Sequence, residues 1–399
     1  MKKICIAGKN TIAVNVLEYV LKKKLYKKDE IIVVCNKTED GKNTWQKSLR
    51  YFANKYGIAE VSLSDVYKIP NILFLSLEYD SIIQPQKFKT RYLYNIHFSA
   101  LPKYKGMYTS ALPIINNEKE SGVTFHHIDT GIDTGNIVEQ YIFPIDEDDT
   151  SRDLYAKFIM YGTKLVCKCL ERMKKEGNDL YGEAQDAKQS SYYSKNTIDY
   201  KNIKIDLNQT AIAIRNQIRA FHFREYQLPI VVNKKIASAK IINQPSTKKP
   251  GTIIWQNDRM IMISSIDYDV LLLIDSFDDV MKAAMDNDIK AYTKIPERAM
   301  YVNEQGNNGL TPLMVAAYNG NYEMAMMLIA DGSRLDSVNR NGTNILMCAK
   351  DGWLKNGDSR LFEYLLEKGL SLEDVDYIGM SLRDYCNKAG IEKIGTVSI

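Results

Sequence analysis

Three of the four histidines in the chain, His97, His126 and His127, fall within one window of 31 residues. The window opens on Asn95-Ile96-His97-Phe98-Ser99. On a strand, Asn95 and His97 share one face about 6.6 Å apart, while Tyr94, Ile96 and Phe98 occupy the other. Pro102 and Gly106 then force a turn. The chain returns through GVTFHHIDTGIDTGNIV (122–138), where a strand runs into two Asp-Thr-Gly units beginning at Asp129 and Asp133. A carboxamide donates hydrogen bonds, an imidazole moves protons near neutral pH, and a carboxylate accepts or orients. His127 lies on the face opposite His126 and reads as structural. The histidines have no further ligand at metal-binding spacing, so no metal is expected.

These groups need a scaffold, and the flanking sequence supplies one. Continuous apolar runs at 3–8, 31–36, 71–77 and 92–98 read as buried strands, and Thr11–Lys24 and Asn43–Tyr56 read as helices between them. Strands alternating with helices predict an α/β fold with a parallel, Rossmann-like sheet and crossover helices. Such sheets bind ligands beyond the carboxyl ends of their strands. Those ends are Gly8-Lys9-Asn10, Asn36, Ser76-Leu77-Glu78-Tyr79 and His97-Phe98-Ser99. The first turn reads GKNTIA and not GxGxxG, and no Walker loop is present, which weakens a dehydrogenase or kinase reading. A long helix is expected over Ser151–Lys175, a surface loop over Glu183–Asn196 and a helix over Asn208–Phe221. Two hairpins follow on either side of the linker PSTKKPG (245–251). Hairpins this apolar need a cover, so this module is a candidate for self-association and the chain is expected to form a homodimer.

The last third repeats. Gly309 in NGLTPLMVAAYNG recurs 33 residues later as Gly342 in NGTNILMCA, and Ala316-Ala317 stand 33 residues after Ala283-Ala284. A truncated further copy begins at Gly379, after a four-residue insertion around Lys355–Asp358. Thr311 suits a helix N-cap, Pro312 the first helical position, and Gly332 the end of a second helix. This period marks all-α ankyrin repeats. The expected division is 1–200, 201–275 and 276–399.

Composition narrows the class. With 399 residues, 45% hydrophobic and 26% charged, the chain can build several cores, and no run reaches the roughly 18 apolar residues of a membrane span. The run Ile4–Ala7 is too short for a signal peptide. Six scattered cysteines fit a reducing cytoplasm, and a net charge of +4 argues against a broad nucleic-acid footprint.

The window of histidines resembles the signature of formyltransferases that use 10-formyltetrahydrofolate: an Asn-x-His strand, a Ser-Leu-Leu-Pro-like turn, a glycine, and an Asp-x-Gly some 25 residues on. The matching residues are Asn95, His97, Ser99-Ala100-Leu101-Pro102, Gly106, Gly122, His126 and Asp133-Thr134-Gly135, with Ala100 the one conservative departure. The likeness covers about residues 1–200. It implies Asn95, His97 and Asp133 as the catalytic triad. Formyl transfer to an amine develops an oxyanion, which Asn95 would stabilise by about 3 kcal/mol. His97 would serve as base or second donor, and Asp133 would orient it and relay the proton. By the same resemblance the folate is held near Ser76, Leu77, Glu78, Tyr79, His126, Asp129 and Thr130.

The segment 218–236 is similar to sugar N-formyltransferases that act on dTDP-linked aminosugars for O-antigen synthesis. It implies Arg219, Phe221 and Tyr226 as nucleotide contacts; Lys9, Asn10, Tyr104 and Lys105, near the predicted strand ends, are further candidates for the pyrophosphate or sugar. The appended repeats resemble the subset acting on a 3-amino-3,6-dideoxyhexose, whose repeats can hold a second nucleotide sugar. A 4-amino sugar is the alternative acceptor, and a scaffold built on a retired enzyme is the alternative class.

Overall fold

The computed structural model describes residues 3–177 and 179–399. The first elements are β1 (Ile4–Gly8), α1 (Asn10–Lys22), β2 (Ile31–Cys35), α2 (Leu49–Tyr56), β3 (Ala59–Glu60), α3 (Leu63–Val66), β4 (Leu73–Leu77) and β5 (Leu93–His97). There follow β6 (Lys105–Gly106), α4 (Leu112–Ile115), β7 (Glu120–His127), β8 (Ile137–Pro144), α5 (Ser151–Glu176), β9 (Tyr192–Tyr193) and α6 (Ala211–Phe221).

A seven-stranded sheet has the order β3-β2-β1-β4-β5-β7-β8. The first five strands run parallel. Strands β1 and β4 lie at its centre and are buried at every residue, as continuous apolar runs require. The expected parallel sheet forms the core, and β7 and β8 extend it as antiparallel additions. The connection from β5 holds only a four-residue helix, α4, which is too short to carry a parallel crossover. Helix α2 also starts later than expected. The Ser48 hydroxyl accepts the Tyr51 N–H and caps the helix there, leaving 43–48 outside it.

Helix α5 runs as the periodicity predicts, with Leu154, Phe158, Leu165 and Leu170 buried. It opens on a reciprocal capping box between Thr150 and Asp153. A second sheet contains β10 (Ile230–Val231), β11 (Lys234–Pro245), β12 (Ile253–Gln256), β13 (Met260–Ile263) and β14 (Tyr268–Ile274), in the order β10-β11-β14-β13-β12. The two expected hairpins are present but not adjacent: β14, absent from the sequence expectation, lies between them. Isolated hairpins are marginal in water, and this strand joins their edges into one sheet.

The chain divides into two compact units. One holds the residues through Lys42, Gln46–Trp255 and Ile261–Leu272; the other holds Asn43–Trp45, Gln256–Met260 and Leu273–Ile399. The second unit contains α7 (Phe277–Asp286), α8 (Ile289–Thr293), α9 (Pro312–Tyr318), α10 (Tyr322–Ala330), α11 (Ile345–Asn356), α12 (Arg360–Glu367) and α13 (Leu382–Lys388). Caps recur at equivalent places: Thr311 accepts from the Met314 N–H, Asn344 from Met347 and Ser381 from Asp384. Neighbouring repeats are tied by side-chain amides. Asn321 donates to the Ala284 carbonyl at 2.9 Å, and Asn356 to the Gly320 carbonyl at 2.9 Å. Among the described residues, no helix is long and apolar enough to cross a membrane.

Candidate active site

The antiparallel register of β5 and β7 sets Asn95 directly opposite His126 and His97 opposite Thr124. The Asn95 amide donates to His126 Nε2 at 3.0 Å. His126 Nδ1 lies 2.7 Å from the His127 carbonyl. A carbonyl only accepts, so Nδ1 carries the hydrogen and Nε2 is left to accept from Asn95. Asp133 arrives from the loop after β7. Its Oδ1 is 3.5 Å from the Asn95 amide nitrogen and 3.7 Å from His126 Nε2. Its Oδ2 is 3.4 Å from His97 Nδ1 and accepts the Gly106 N–H at 3.0 Å. His97 Nε2 meets the Tyr104 carbonyl at 2.8 Å. The structure therefore brings together four groups: the three expected catalytic residues and His126 in direct contact with two of them.

Burial alone would raise the Asp133 pKa, but His97 beside it and the Gly106 N–H outweigh that and hold the carboxyl well below the usual range. It is a carboxylate at any working pH. Its backbone is in the left-handed region, at φ 55°. For a residue with a Cβ, such a conformation costs on the order of 1–3 kcal/mol and persists only where the surroundings impose it. Two glycines make the close approaches possible. A Cβ on Gly106, at φ 85°, would lie 2.3 Å from the Tyr193 carbonyl oxygen, and one on Gly135 would lie 1.8 Å from that of His127. A β-bulge between Phe125 and His126 shifts the ladder where the site begins. The Thr124 hydroxyl donates to the Ser99 carbonyl at 2.7 Å and accepts the Leu101 N–H at 3.2 Å, fixing the turn after β5.

The other expected contacts divide. Lys9 and Asn10 stand at the end of β1, half-buried. Asn10 and the Tyr155 hydroxyl both donate to the Glu78 carboxyl, at 3.2 and 2.7 Å. Burial pushes the Glu78 pKa up, against the Tyr155 and Asn10 bonds and the charge of Lys9. Tyr226 is 66% exposed and leans on Phe223, which meets Tyr155 edge to face. These residues form one wall. Tyr155 was not singled out in the sequence; its signal was a tyrosine in the first turn of a helix that starts near the strand ends. Ser76 is buried and pairs with Asn95 across β4 and β5, and Thr130 is exposed on the loop.

Several assignments need correction. Leu77 is wholly buried, so its side chain belongs to the core and cannot touch a folate. Tyr79 packs against the core cluster of Cys5 and Phe74. Asp129 shapes its own loop, accepting the Gly131 N–H at 3.0 Å and the Thr134 hydroxyl at 2.6 Å. The Tyr104 hydroxyl donates to Glu118 and accepts from Asn116, and Lys105 is buried. The Arg219 guanidinium donates to the Asp149 and Asp146 carbonyls and to Asn216. These bonds occupy three of its five N–H donors and hold the side chain against the protein. Phe221 is buried edge-on to Tyr200. Among the described residues, no group of three His, Cys, Asp or Glu could hold a metal ion.

Residues 79–170 match the formyl transferase family model, 197–288 the formyl transferase C-terminal domain, and 280–376 ankyrin repeats in three copies. The fold and site thus define a formyl-transferring enzyme. An N-formyltransferase from Helicobacter canadensis, solved with folinic acid and dTDP-3-aminofucose, is 45% identical with a TM-score of 0.64; the match spans 69% of this chain and all of that one. WlaRD, a sugar 3N-formyl transferase solved with dTDP and 5-N-formyl-THF, is also 45% identical with a TM-score of 0.64, over 69% of this chain and 98% of its own. The methionyl-tRNA formyltransferase of Fervidobacterium nodosum is 27% identical, over 63% of this chain and 83% of its own length. The chain belongs to the sugar N-formyltransferases.

Proposed function

We propose that the chain transfers the formyl group of 10-formyltetrahydrofolate to the amine of a dTDP-linked 3-amino-3,6-dideoxyhexose. One observation carries the reading. Asn95, His97, His126 and Asp133 converge, in a chain 45% identical to relatives solved with dTDP-3-aminofucose or with dTDP. The site fits such a reaction. His97 and His126 are buried, whereas Asn95 and Asp133 keep partial exposure, so the carboxamide and the carboxylate are what ligands meet. The folate supplies the activated formyl group. Asn95 turns the longer of its two amide bonds, the 3.5 Å one to Asp133, toward the formyl oxygen as charge develops there. The amine nitrogen bonds to the formyl carbon and its proton leaves by way of Asp133 toward His97, whose ring is fixed at its far side by the Tyr104 carbonyl. Collapse of the adduct then breaks the bond from that carbon to the folate nitrogen, which takes up a proton and departs as tetrahydrofolate.

Lys9, Asn10, Tyr155 and Tyr226 form the nucleotide-sugar side, joined by Glu78, which was expected on the folate side but accepts from Asn10 and Tyr155; Ser76, His126 and Thr130 remain on the folate side. The 3-amino position is preferred to the 4-amino one because both of these relatives are described with 3-amino chemistry. A tRNA acceptor would call for a strongly basic surface, and the net charge of the chain is only +4. The division 1–200, 201–275 and 276–399 follows these roles. Exposed Ile230 on β10, and Ile253 and Trp255 on β12, are apolar surface at the two edges of the five-stranded sheet that homodimer formation would cover. The repeats are proposed to hold a second nucleotide sugar, and the cytoplasm is the proposed compartment.

The test mixes the full chain with 10-formyltetrahydrofolate and the gluco and galacto forms of dTDP-3-amino-3,6-dideoxyhexose, and reads the formamido product by mass. A chain inert toward every dTDP-aminosugar would defeat the reading.

A further inference from the structure

We propose that Gln185 is a positioning residue for formyl transfer: its side-chain amide holds Asp133 in the left-handed conformation that aims the carboxylate at Asn95 and His97. The proposal rests on the reading of Asp133 as catalytic. Gln185 lies outside the matched signature and touches none of the reacting groups.

The Gln185 Nε2 donates to two carbonyls, those of Asp133 and Gly135, each at 2.8 Å. Its Oε1 is buried with no hydrogen-bond partner among the described residues. That asymmetry fixes the amide. Rotated by half a turn, it would set an oxygen against two carbonyl oxygens, so only the observed orientation is stable. A buried acceptor left unsatisfied is a cost, borne here because both donors are spent on the loop that carries Asp133.

The segment delivering Gln185 is itself anchored. The Leu180 N–H donates to the Tyr94 hydroxyl at 3.3 Å, and its carbonyl lies 2.9 Å from His127 Nε2. The Asn136 amide donates to the Gly182 carbonyl at 3.1 Å. Ile137 and Glu183 exchange two N–H···O bonds of 2.8 Å each. Residues 180–185 thus form a strap tied to β5, to the end of β7 and to the start of β8. The loop between β7 and β8 is therefore held from both sides: the Gly106 N–H fixes the Asp133 carboxylate, and Gln185 fixes the backbone behind it. Without that second hold, a residue at φ 55° with a Cβ relaxes toward negative φ and its carboxylate swings off line.

The experiment uses the full chain with Gln185→Met, which keeps the length and removes both donors, and Gln185→Glu, which opposes oxygens to the two carbonyls. Expected for Gln185→Met is a kcat lower by about 10–100-fold with KM for both substrates little changed, since an ångström of misplacement is worth up to that much. Gln185→Glu should lose more. Hydrogen exchange of 129–137 should rise in both while the remaining helices and strands keep their protection. In an Asp133→Asn background, Gln185→Met should change the residual rate by less than about twofold, because the two act as one unit. Wild-type kcat in Gln185→Met, a loss confined to KM, or a loss that multiplies onto that of Asp133→Asn would overturn the proposal. Full activity of Asp133→Asn would instead sink the catalytic reading on which it rests, whatever Gln185→Met does. Should Gln185→Met fail to fold, Gln185→Asn, which keeps the amide but shortens its reach, carries the same kcat test.

Discussion

Asn95 spends its amide hydrogens on His126 and, more loosely, on Asp133, so its removal should act on the rate and not on binding. Asn95→Ala is expected to lower kcat by about 10²–10³, as loss of an oxyanion donor does elsewhere, measured by formamido product at saturating substrates. Asp133 also links catalysis to stability. Its folded pKa lies below the unfolded value of 3.8, so its ionised form stabilises the fold above that pH, and the contribution fades as the pH falls through the folded value. Denaturant midpoints of wild type and Asp133→Asn should therefore differ at pH 7, and the difference should begin to shrink only below about pH 4 and still be present at pH 3. Two further side chains separate binding from structure. Tyr155→Phe, which breaks the bond to Glu78, should raise KM for the nucleotide sugar, whereas Arg219→Ala should lower Tm with KM unchanged. An equal KM effect from both would contradict the division.

At the scale of elements, the site depends on β7 running antiparallel to β5, because a parallel neighbour would not set His126 across from Asn95. The loop that follows admits no side chain at its end. Gly135→Ala would force a Cβ to 1.8 Å from the His127 carbonyl oxygen, and the expected result is loss of turnover with a lower Tm by thermal melt. Helix α5 offers a contrast. Thr150→Ala removes its capping box at a cost of about 1 kcal/mol, read as a lower denaturant midpoint, while KM and kcat stay as they were. The parallel half of the sheet and α5 were legible because their apolar periodicity is continuous. The direction of β7 and the existence of β14 were not, since a strand's run of residues does not say which neighbour it pairs with.

For the whole molecule, a relative with 45% identity is matched over its full length by 69% of this chain, so formyl transfer should not need the ankyrin repeats. A chain ending at residue 275 is expected to keep its kcat. Titration of dTDP should find two sites per subunit in the full chain and one in the shortened chain, by calorimetry; a single site in both would remove the proposed second nucleotide-sugar site.

The sequence alone determined the class of chemistry through its resemblance to the formyltransferase signature, which Asn95, His97 and Asp133 carry together with the glycines between them. It also determined the repeats, whose period is written into the chain and whose caps depend on near neighbours. Only the tertiary structure decided that His126 joins the cluster, that Arg219 is committed to carbonyls and that Tyr155 faces Glu78. Those outcomes depend on contacts between residues tens of positions apart. Residue type specifies what such side chains can bond, and the packed chain alone specifies which partner is in reach.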